Sequence, residues 1–182
     1  MTELWHFSED STIEVFIPHR AATAALDDEL VWAVDSDHRW LYWFPRDCPR
    51  ATWCAGDETS DEDVEHWLDG DRSRRIAVIE TGWLERMHSV ALYAYRLPPE
   101  KFEPWDKFFI SRETVVPTGL VALGDLVEQH AAGGTELRVA DALYPLWDDV
   151  VATTLDYSGI RLRNTANWHN DATRAAHPPP YR

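Results

Sequence analysis

LWHFS at residues 4–8 predicts the first strand of a sheet, because apolar side chains surround one His and one Ser in a short run. Two other stretches have the same character: VWAVDS at residues 31–36 and ISRETVVP at residues 110–117. Each places an isolated polar or aromatic group in a segment with the composition of a buried strand. Because a buried polar group costs free energy unless it has a partner, the three stretches predict one shared site.

The rest of the chain mixes strands and helices without a regular β–α alternation. This pattern predicts an α+β fold with a curved, mainly antiparallel split sheet that is flanked by helices. A chain of 182 residues can bury a sizeable core in one domain. We therefore expect a single domain over residues 1–163, followed by a polar C-terminal tail over residues 164–182.

Caps and periodicity predict several helices. A short helix with Trp40 and Leu41 follows the Asp35-Ser36 cap, and Ser60 with Asp63 predicts the start of a helix that ends at Leu68. Helical spacing of leucines extends over residues 120–130, and Pro145 suits the start of another helix. Further strands are predicted at 51–54, 75–80, 90–97 and 136–139, and residues 108–111 and 113–116 are predicted to form either a strand pair or one long strand.

The acidic balance of the chain narrows the classes of partner. The formal net charge is −15, which argues against binding along a nucleic acid, because such binding depends on Lys and Arg. A local basic group is still present in Arg39, Arg46 and Arg50. No apolar run has membrane length and no signal peptide is recognisable, so we expect no membrane partner and a cytoplasmic location.

Cysteine and tryptophan usage adds two expectations. Cys48 and Cys54 are expected to be free thiols, and their spacing is not that of a zinc knuckle, so no metal site is predicted. The ten Trp residues exceed what a core of this size needs. Some of these rings are therefore expected to line a cleft.

The three stretches resemble the motifs of the ADP-ribosyltransferase superfamily, in the same order and over about residues 4–117. WHFS at residues 5–8 resembles the motif with a first-strand His, VWAVD at 31–35 resembles the motif with a second-strand aromatic, and RETVVP at 112–117 resembles the late strand with a Glu. The chain departs from this pattern at Phe7, where the superfamily has Gly, and at Trp32, where it usually has Tyr. The common signatures GxGxxG, GxSxG and HExxH are absent.

This resemblance implies an NAD-dependent ADP-ribosyltransferase or an NAD glycohydrolase with an unknown acceptor. Its catalytic residues would be Glu113 and His6, and the NAD cofactor would be contacted by Ser8, Trp32, Tyr42, Arg46 and Arg50. A carboxylate can stabilise the oxocarbenium character that builds up when the nicotinamide bond breaks. We therefore predict that His6 and Glu113 lie on neighbouring strands and line one cleft.

Each of these residues also has a purely structural interpretation. His6 is then a hydrogen-bonded strand His, Glu113 pairs with Arg112 or Arg96, and Trp32 belongs to the core. Cys48 has a reactive alternative, because neighbouring arginines favour a nucleophilic thiolate.

Two prolines predict a rigid loop over residues 44–50, because each fixes one backbone angle. We expect Arg46 or Arg50 to point inward from this loop. The group it meets is either an anion or a carboxylate in a structural ion pair.

A second class of function is a non-catalytic ligand- or protein-binding domain on the same fold that uses the Trp-rich surface. The whole chain, including FPRDCPR at residues 44–50, also resembles an uncharacterised bacterial family of unknown function. Glu113 discriminates between the two classes, because a transferase requires it to face a cleft that it shares with His6. A small-molecule nucleotide is the expected partner under the transferase hypothesis only.

Overall fold

The computed structural model describes residues 2–20 and 28–166. Its contacts divide into two compact units, Met1–Arg46 with Val90–Gly124 and Asp47–Ser89 with Asp125–Arg182. Each unit contains one sheet, and all strand pairs but one are antiparallel. The predicted mixture of helices with mainly antiparallel strands is confirmed, whereas the single domain over residues 1–163 stays a prediction. Most of the predicted tail, residues 167–182, lies outside the described ranges.

The structure places ten strands and four α-helices in the described ranges. The strands are β1 (Leu4–Ser8), β2 (Val31–Asp35), β3 (Arg50–Cys54), β4 (Arg75–Glu80), β5 (Tyr93–Leu97), β6 (Glu103–Trp105), β7 (Phe108–Ser111), β8 (Gly119–Ala122), β9 (Thr135–Ala140) and β10 (Asp156–Ile160). The helices are α1 (Asp61–Leu68), α2 (Leu84–Ser89), α3 (Leu126–Ala132) and α4 (Tyr144–Val151).

The first unit is built on a six-stranded sheet in the order β6-β7-β2-β1-β5-β8. Successive side chains of a strand leave by opposite faces, and both faces of this sheet bury apolar groups. One face, here called the Tyr95 face, packs Leu4, Tyr95 and Leu97 with Phe16 and Val115. The other, here called the Trp5 face, packs Trp5, Val34 and Ala94.

The second unit is built on a four-stranded sheet in the order β10-β3-β4-β9, in which β4 and β9 are parallel. Its core joins Trp53 and Ile76 of the sheet with Trp147 and Val150 of α4. Helix α1 begins as predicted, because the Ser60 side chain accepts a hydrogen bond from the Asp63 N–H.

The predicted helix over residues 120–130 is wrong in its first half. Residues Gly119–Ala122 form the strand β8, and α3 begins only at Leu126. Gly124 has a φ of +72°, which breaks a helix, and the Asp125 carboxylate accepts hydrogen bonds from the N–H groups of Val127 and Glu128. Helix α3 therefore begins at this cap, although the leucine spacing alone predicts a helix that starts further upstream.

Two further predictions differ from the structure, one for a strand and one for a helix. Residues 113–116 form no strand, and only Val115 makes an isolated bridge, to Phe16. The helix predicted after Asp35 is a single 3₁₀ turn over Arg39–Tyr42. The Asp35 carboxylate accepts hydrogen bonds from the N–H groups of Asp37 and His38, so it stabilises the turn that precedes the 3₁₀ helix.

Gly159 provides a test of the packing between β10 and α4. A Cβ atom at this position would lie 2.6 Å from Cη2 of Trp147 and 2.7 Å from Cδ1 of Leu162. We predict that Gly159→Ala lowers the free energy of unfolding by about 1–3 kcal/mol, because the buried ring has to move. Urea denaturation measures this change.

Gly82→Ala is the matched control, since a Cβ at position 82 would meet nothing within 4 Å. Its expected effect is within about 0.5 kcal/mol. Equal free energies of unfolding for the two variants would contradict the close packing at Gly159.

Candidate functional site

His6 and Ser8 lie on β1 and share the Tyr95 face of the first sheet with Leu4. The His6 Nδ1 donates a hydrogen bond of 2.9 Å to the Trp32 carbonyl oxygen, and its ring lies 4.7 Å from that of Phe16. Burial lowers the pKa of His6, and this effect outweighs the hydrogen bond to Trp32, which raises it. His6 is therefore a neutral, hydrogen-bonded side chain with its proton on Nδ1.

Trp32 and Tyr42 lie on the opposite side of the same sheet. Trp32 alternates with Ala33 along β2, and its ring meets those of Trp105 and Phe108 edge to face, at centroid distances of 5.2 and 6.0 Å. Tyr42 stacks on Phe7 at 6.2 Å within the Trp5 face. The aromatic groups that the resemblance assigns to NAD binding are thus separated by the sheet from His6 and Ser8.

Glu113 lies beyond the end of β7, in the bend that follows Ser111. Its side chain is 72% exposed and pairs with the Lys101 ammonium at 3.3 Å. Strand β2 lies between β1 and β7 in the sheet. The prediction that His6 and Glu113 occupy neighbouring strands is therefore wrong, because the chain inserts the second stretch between the first and the third.

The two predicted arginines fall in different units. Arg46 is exposed in the first unit, and its main-chain N–H donates to the Glu9 carboxylate at 2.8 Å. Arg50 is buried in the second unit, where its guanidinium donates to the Cys48 carbonyl oxygen at 3.2 Å. The inward direction predicted for one of these arginines is found at Arg50, and the anion that it was expected to meet stays a prediction.

Cys48 does not have the properties of a nucleophile. Its side chain is fully buried, and its thiol lies 3.6 Å from the Pro49 carbonyl oxygen. Burial raises the pKa of this thiol to about 12, more than the nearby Arg50 lowers it. The thiolate form is therefore absent near neutral pH, and the reactive hypothesis for Cys48 is wrong.

An open groove of about 470 Å³ lies in the first unit, on the side of the Tyr95 face. One wall is the segment Ser11–Glu14 and the other is Pro117–Leu120, with Tyr95 between them. Neither His6 nor Glu113 lines this groove. Its lining is mixed, with Ile13 and Leu120 beside hydroxyl groups and one carboxylate.

The first wall of the groove is held in place by Tyr95, which is 2% exposed. The Tyr95 hydroxyl donates to the Asp10 carbonyl oxygen at 2.7 Å and accepts from the Ile13 N–H at 3.1 Å. The Asp10 carboxylate accepts from the Thr12 hydroxyl and N–H, and these bonds lower the pKa of Asp10. A wall fixed in this way loses little entropy when a ligand binds.

Glu14 is the carboxylate of the groove. It is exposed and forms no ion pair within the described ranges. Arg96 follows the groove residue Tyr95 on β5, but its guanidinium pairs with Glu3 at 2.9 Å and lies 5.2 Å from the centroid of the Trp5 ring. The groove therefore presents one uncompensated negative charge.

Strand β8 forms both a wall of the groove and an edge of the sheet. It carries the sequence GLVA, in which all four residues are exposed, Leu120 by 45% and Val121 by 50%. The other edges contain charged residues or Pro: Glu103 and Pro104 on β6, Glu136 and Arg138 on β9, and Asp156 on β10. Such residues protect an edge from pairing, and in the described part of the chain β8 is the edge strand that lacks them.

The hydrogen-bond pattern shows which main-chain groups of β8 face outward. The Leu123 N–H donates to the Leu92 carbonyl oxygen at 3.0 Å, and bonded residues alternate along an antiparallel pair. The N–H and C=O groups of Leu120 and Ala122 consequently point away from β5. No described strand pairs with β8 on that side.

Residues 5–165 match the model of a family that is described as a family of unknown function (DUF6886). The chain belongs to this family. No curated protein and no solved structure matches it. The predicted membership of a family of unknown function is confirmed, and the ADP-ribosyltransferase resemblance stays a prediction.

No group of three or more His, Cys, Asp or Glu side chains in the described residues is arranged to hold a metal ion. None of their helices combines the length and the hydropathy that crossing a bilayer requires.

Sequence reasoning missed the groove, although the sequence contains two signals for it. The run Ser8–Thr12 is rich in residues that form side-chain turns. The run at residues 117–122 combines Pro, Gly and two β-branched residues without any charge, which is typical of a strand that follows a turn. The leucine spacing over residues 120–130 predicts a helix in the overlapping part of this run, so the strand is not predicted.

The raised pKa of Cys48 predicts a loss of stability at alkaline pH. The ordinary pKa of the thiol is 9.0 and burial raises the pKa to about 12 in the folded state, so the unfolded state loses its proton first as the pH rises. We expect the free energy of unfolding to fall by about 1–2 kcal/mol between pH 8 and pH 10 through this group. Urea denaturation of wild type and Cys48→Ala at both pH values measures the difference.

Cys54→Ala serves as the control for this experiment, because Cys54 is only partly buried. The Cys48→Ala protein should lose less stability than wild type and Cys54→Ala over the same pH interval. An equal loss in all three proteins would show that other groups cause it.

Proposed function

We propose that the chain is a non-catalytic protein-binding domain whose first unit receives an extended segment of another protein. The observation that carries this proposal is the open edge of β8, which forms one wall of the groove. An extended segment can add to such an edge through main-chain hydrogen bonds while its side chains enter the neighbouring groove. The fixed first wall supports binding by a ready-made surface.

The positions of the predicted transferase residues support binding more than catalysis. His6 is engaged with the Trp32 carbonyl oxygen, and Glu113 is engaged with Lys101 at the surface. A general requirement of catalysis is that the reacting groups converge on one bound molecule. In the first unit, the sheet separates His6 from the rings of Trp32 and Tyr42.

Proline substitution at Leu120 provides a selective test of strand addition. The Leu120 N–H points away from β5, so Leu120→Pro removes a donor from the open edge and leaves the ladder to β5 intact. The probe is a nine-residue peptide with alternating valine and polar residues. We expect Leu120→Pro to weaken its binding about three- to tenfold, measured by calorimetry, because one main-chain bond is lost.

Leu120→Ala is the matched control, since it shortens the same side chain and keeps the N–H group. It should retain most of the affinity. A second control uses wild type with the same peptide N-methylated at alternate residues, which should bind weakly even if Leu120→Pro fails to fold. Equal binding of the methylated and unmethylated peptides would contradict strand addition.

The ADP-ribosyltransferase or NAD glycohydrolase is the second candidate. It is favoured by the pairing of β1 with β2, which brings the first two motifs together and joins His6 to the Trp32 carbonyl oxygen. Under this proposal, Glu113 and His6 act on NAD, which is held by Ser8, Trp32, Tyr42, Arg46 and Arg50, and the acceptor is unidentified.

Calorimetry with millimolar NAD and an assay of nicotinamide release separate the two functions. We predict no binding and no release by wild type, because the proposed groups do not share the groove. Three results together would favour the transferase: release of nicotinamide by wild type, loss of turnover in Glu113→Gln and weaker NAD binding in His6→Ala.

A further inference from the structure

The binding partner can be characterised from the side chains that surround β8. This step rests on the function proposed above. Along an added strand, side chains alternate between the two faces of the sheet. Those on the Tyr95 face lie beside Leu120 at the rim of the groove, and those on the other face lie on the side of the Trp5 face.

On the Tyr95 face, the added strand meets an apolar group on the near wall of the groove, and a negative charge lies on the opposite wall. Leu120 lies opposite Tyr95 and is 45% exposed, and the groove that it lines also contains the carboxylate of Glu14. Lys and Arg fit this combination, because their aliphatic stems cover apolar surface while their charged ends reach a carboxylate. An acidic side chain at the same position would be repelled.

On the Trp5 face, the added strand meets Val121, which lies opposite Ala94 and is 50% exposed. A β-branched or other apolar side chain can cover this exposed surface. The two faces of β8 therefore favour different classes of residue on the same partner strand.

We infer that the first unit recognises an extended segment in which Lys or Arg alternates with apolar residues. The basic residues lie in the groove near Glu14, and the apolar residues cover Val121. The net charge of −15 favours the approach of such a segment, because opposite charges accelerate encounter.

A second copy of this chain is a poorer occupant of the same edge. The strand GLVA of the copy contains no basic side chain to meet Glu14. Pairing two copies would also bring together two chains that each carry a charge of −15. Charge complementarity thus selects a basic segment of another protein.

Three synthetic nine-residue peptides test this inference. They share valine at every second position and carry Lys, Gln or Glu at the positions between. We expect wild type to bind the Lys peptide about two- to fivefold more tightly than the Gln peptide, and the Glu peptide least, which is the range for an exposed ion pair. Fluorescence anisotropy at low and at high salt measures these affinities, and salt should reduce the difference.

Glu14→Gln should remove the preference for the Lys peptide, and Glu14→Lys should reverse it in favour of the Glu peptide. Glu100→Gln is the matched control, because Glu100 is an exposed carboxylate of the same unit outside the groove lining. An equal effect of Glu14→Gln and Glu100→Gln, or equal affinities of the three peptides, would overturn the inference.

Leu120→Pro distinguishes a failure of the inference from a failure of the proposed function. If the three peptides bind equally and Leu120→Pro still weakens their binding, strand addition is supported and the preference for basic residues is contradicted. If none of the peptides binds, both the proposed function and the preference for basic residues are contradicted. Light scattering gives the remaining outcome, since a dimer that Leu120→Pro dissociates would identify a second copy as the occupant and overturn the inference.

Discussion

The pairing of β1 with β2 on one side and β5 on the other governs the arrangement of the first unit. This pairing fixes the register His6–Tyr95 across β1 and β5, and so it decides which side chains share a face. The Tyr95 face contains Leu4, His6 and Ser8, whereas the opposite face contains Trp5 and Phe7 with the other aromatic groups. A one-residue slip would exchange the two sets completely. The groove, its Tyr95 floor and the open edge of β8 all depend on this register.

The sequence predicts those elements that depend on local signals. Ser60 and Asp63 lie within one helical turn, so their cap could be recognised without knowledge of the fold. Strands β1, β2, β3 and β4 could be recognised from their apolar composition. Strand β8 could not, because its leucine spacing is compatible with a helix, while pairing with β5 is a long-range contact that the segment itself does not encode.

The candidate site depends more heavily on such long-range relations. The strands that contain His6 and Trp32 could be recognised from the sequence, but neither the order of the strands in the sheet nor the bend that contains Glu113 could. The side of the sheet on which a residue lies depends on register, and a sequence pattern gives only the alternation within one strand. The groove joins residues 11–14 with residues 117–120, and their proximity is created by β5, which lies far from both segments along the chain.

The contact between Gly159 and Trp147 has a consequence for sequence change in this family. Because the indole ring occupies the volume that a side chain at position 159 would need, the two positions share one fixed volume between β10 and α4. A larger residue at position 159 therefore requires that both the indole ring and the Leu162 side chain give way, and a smaller residue at position 147 alone leaves this interface underpacked. Packing therefore couples Gly159 to Trp147 and Leu162, so that a change at one of the three positions alters which residues the other two can accept.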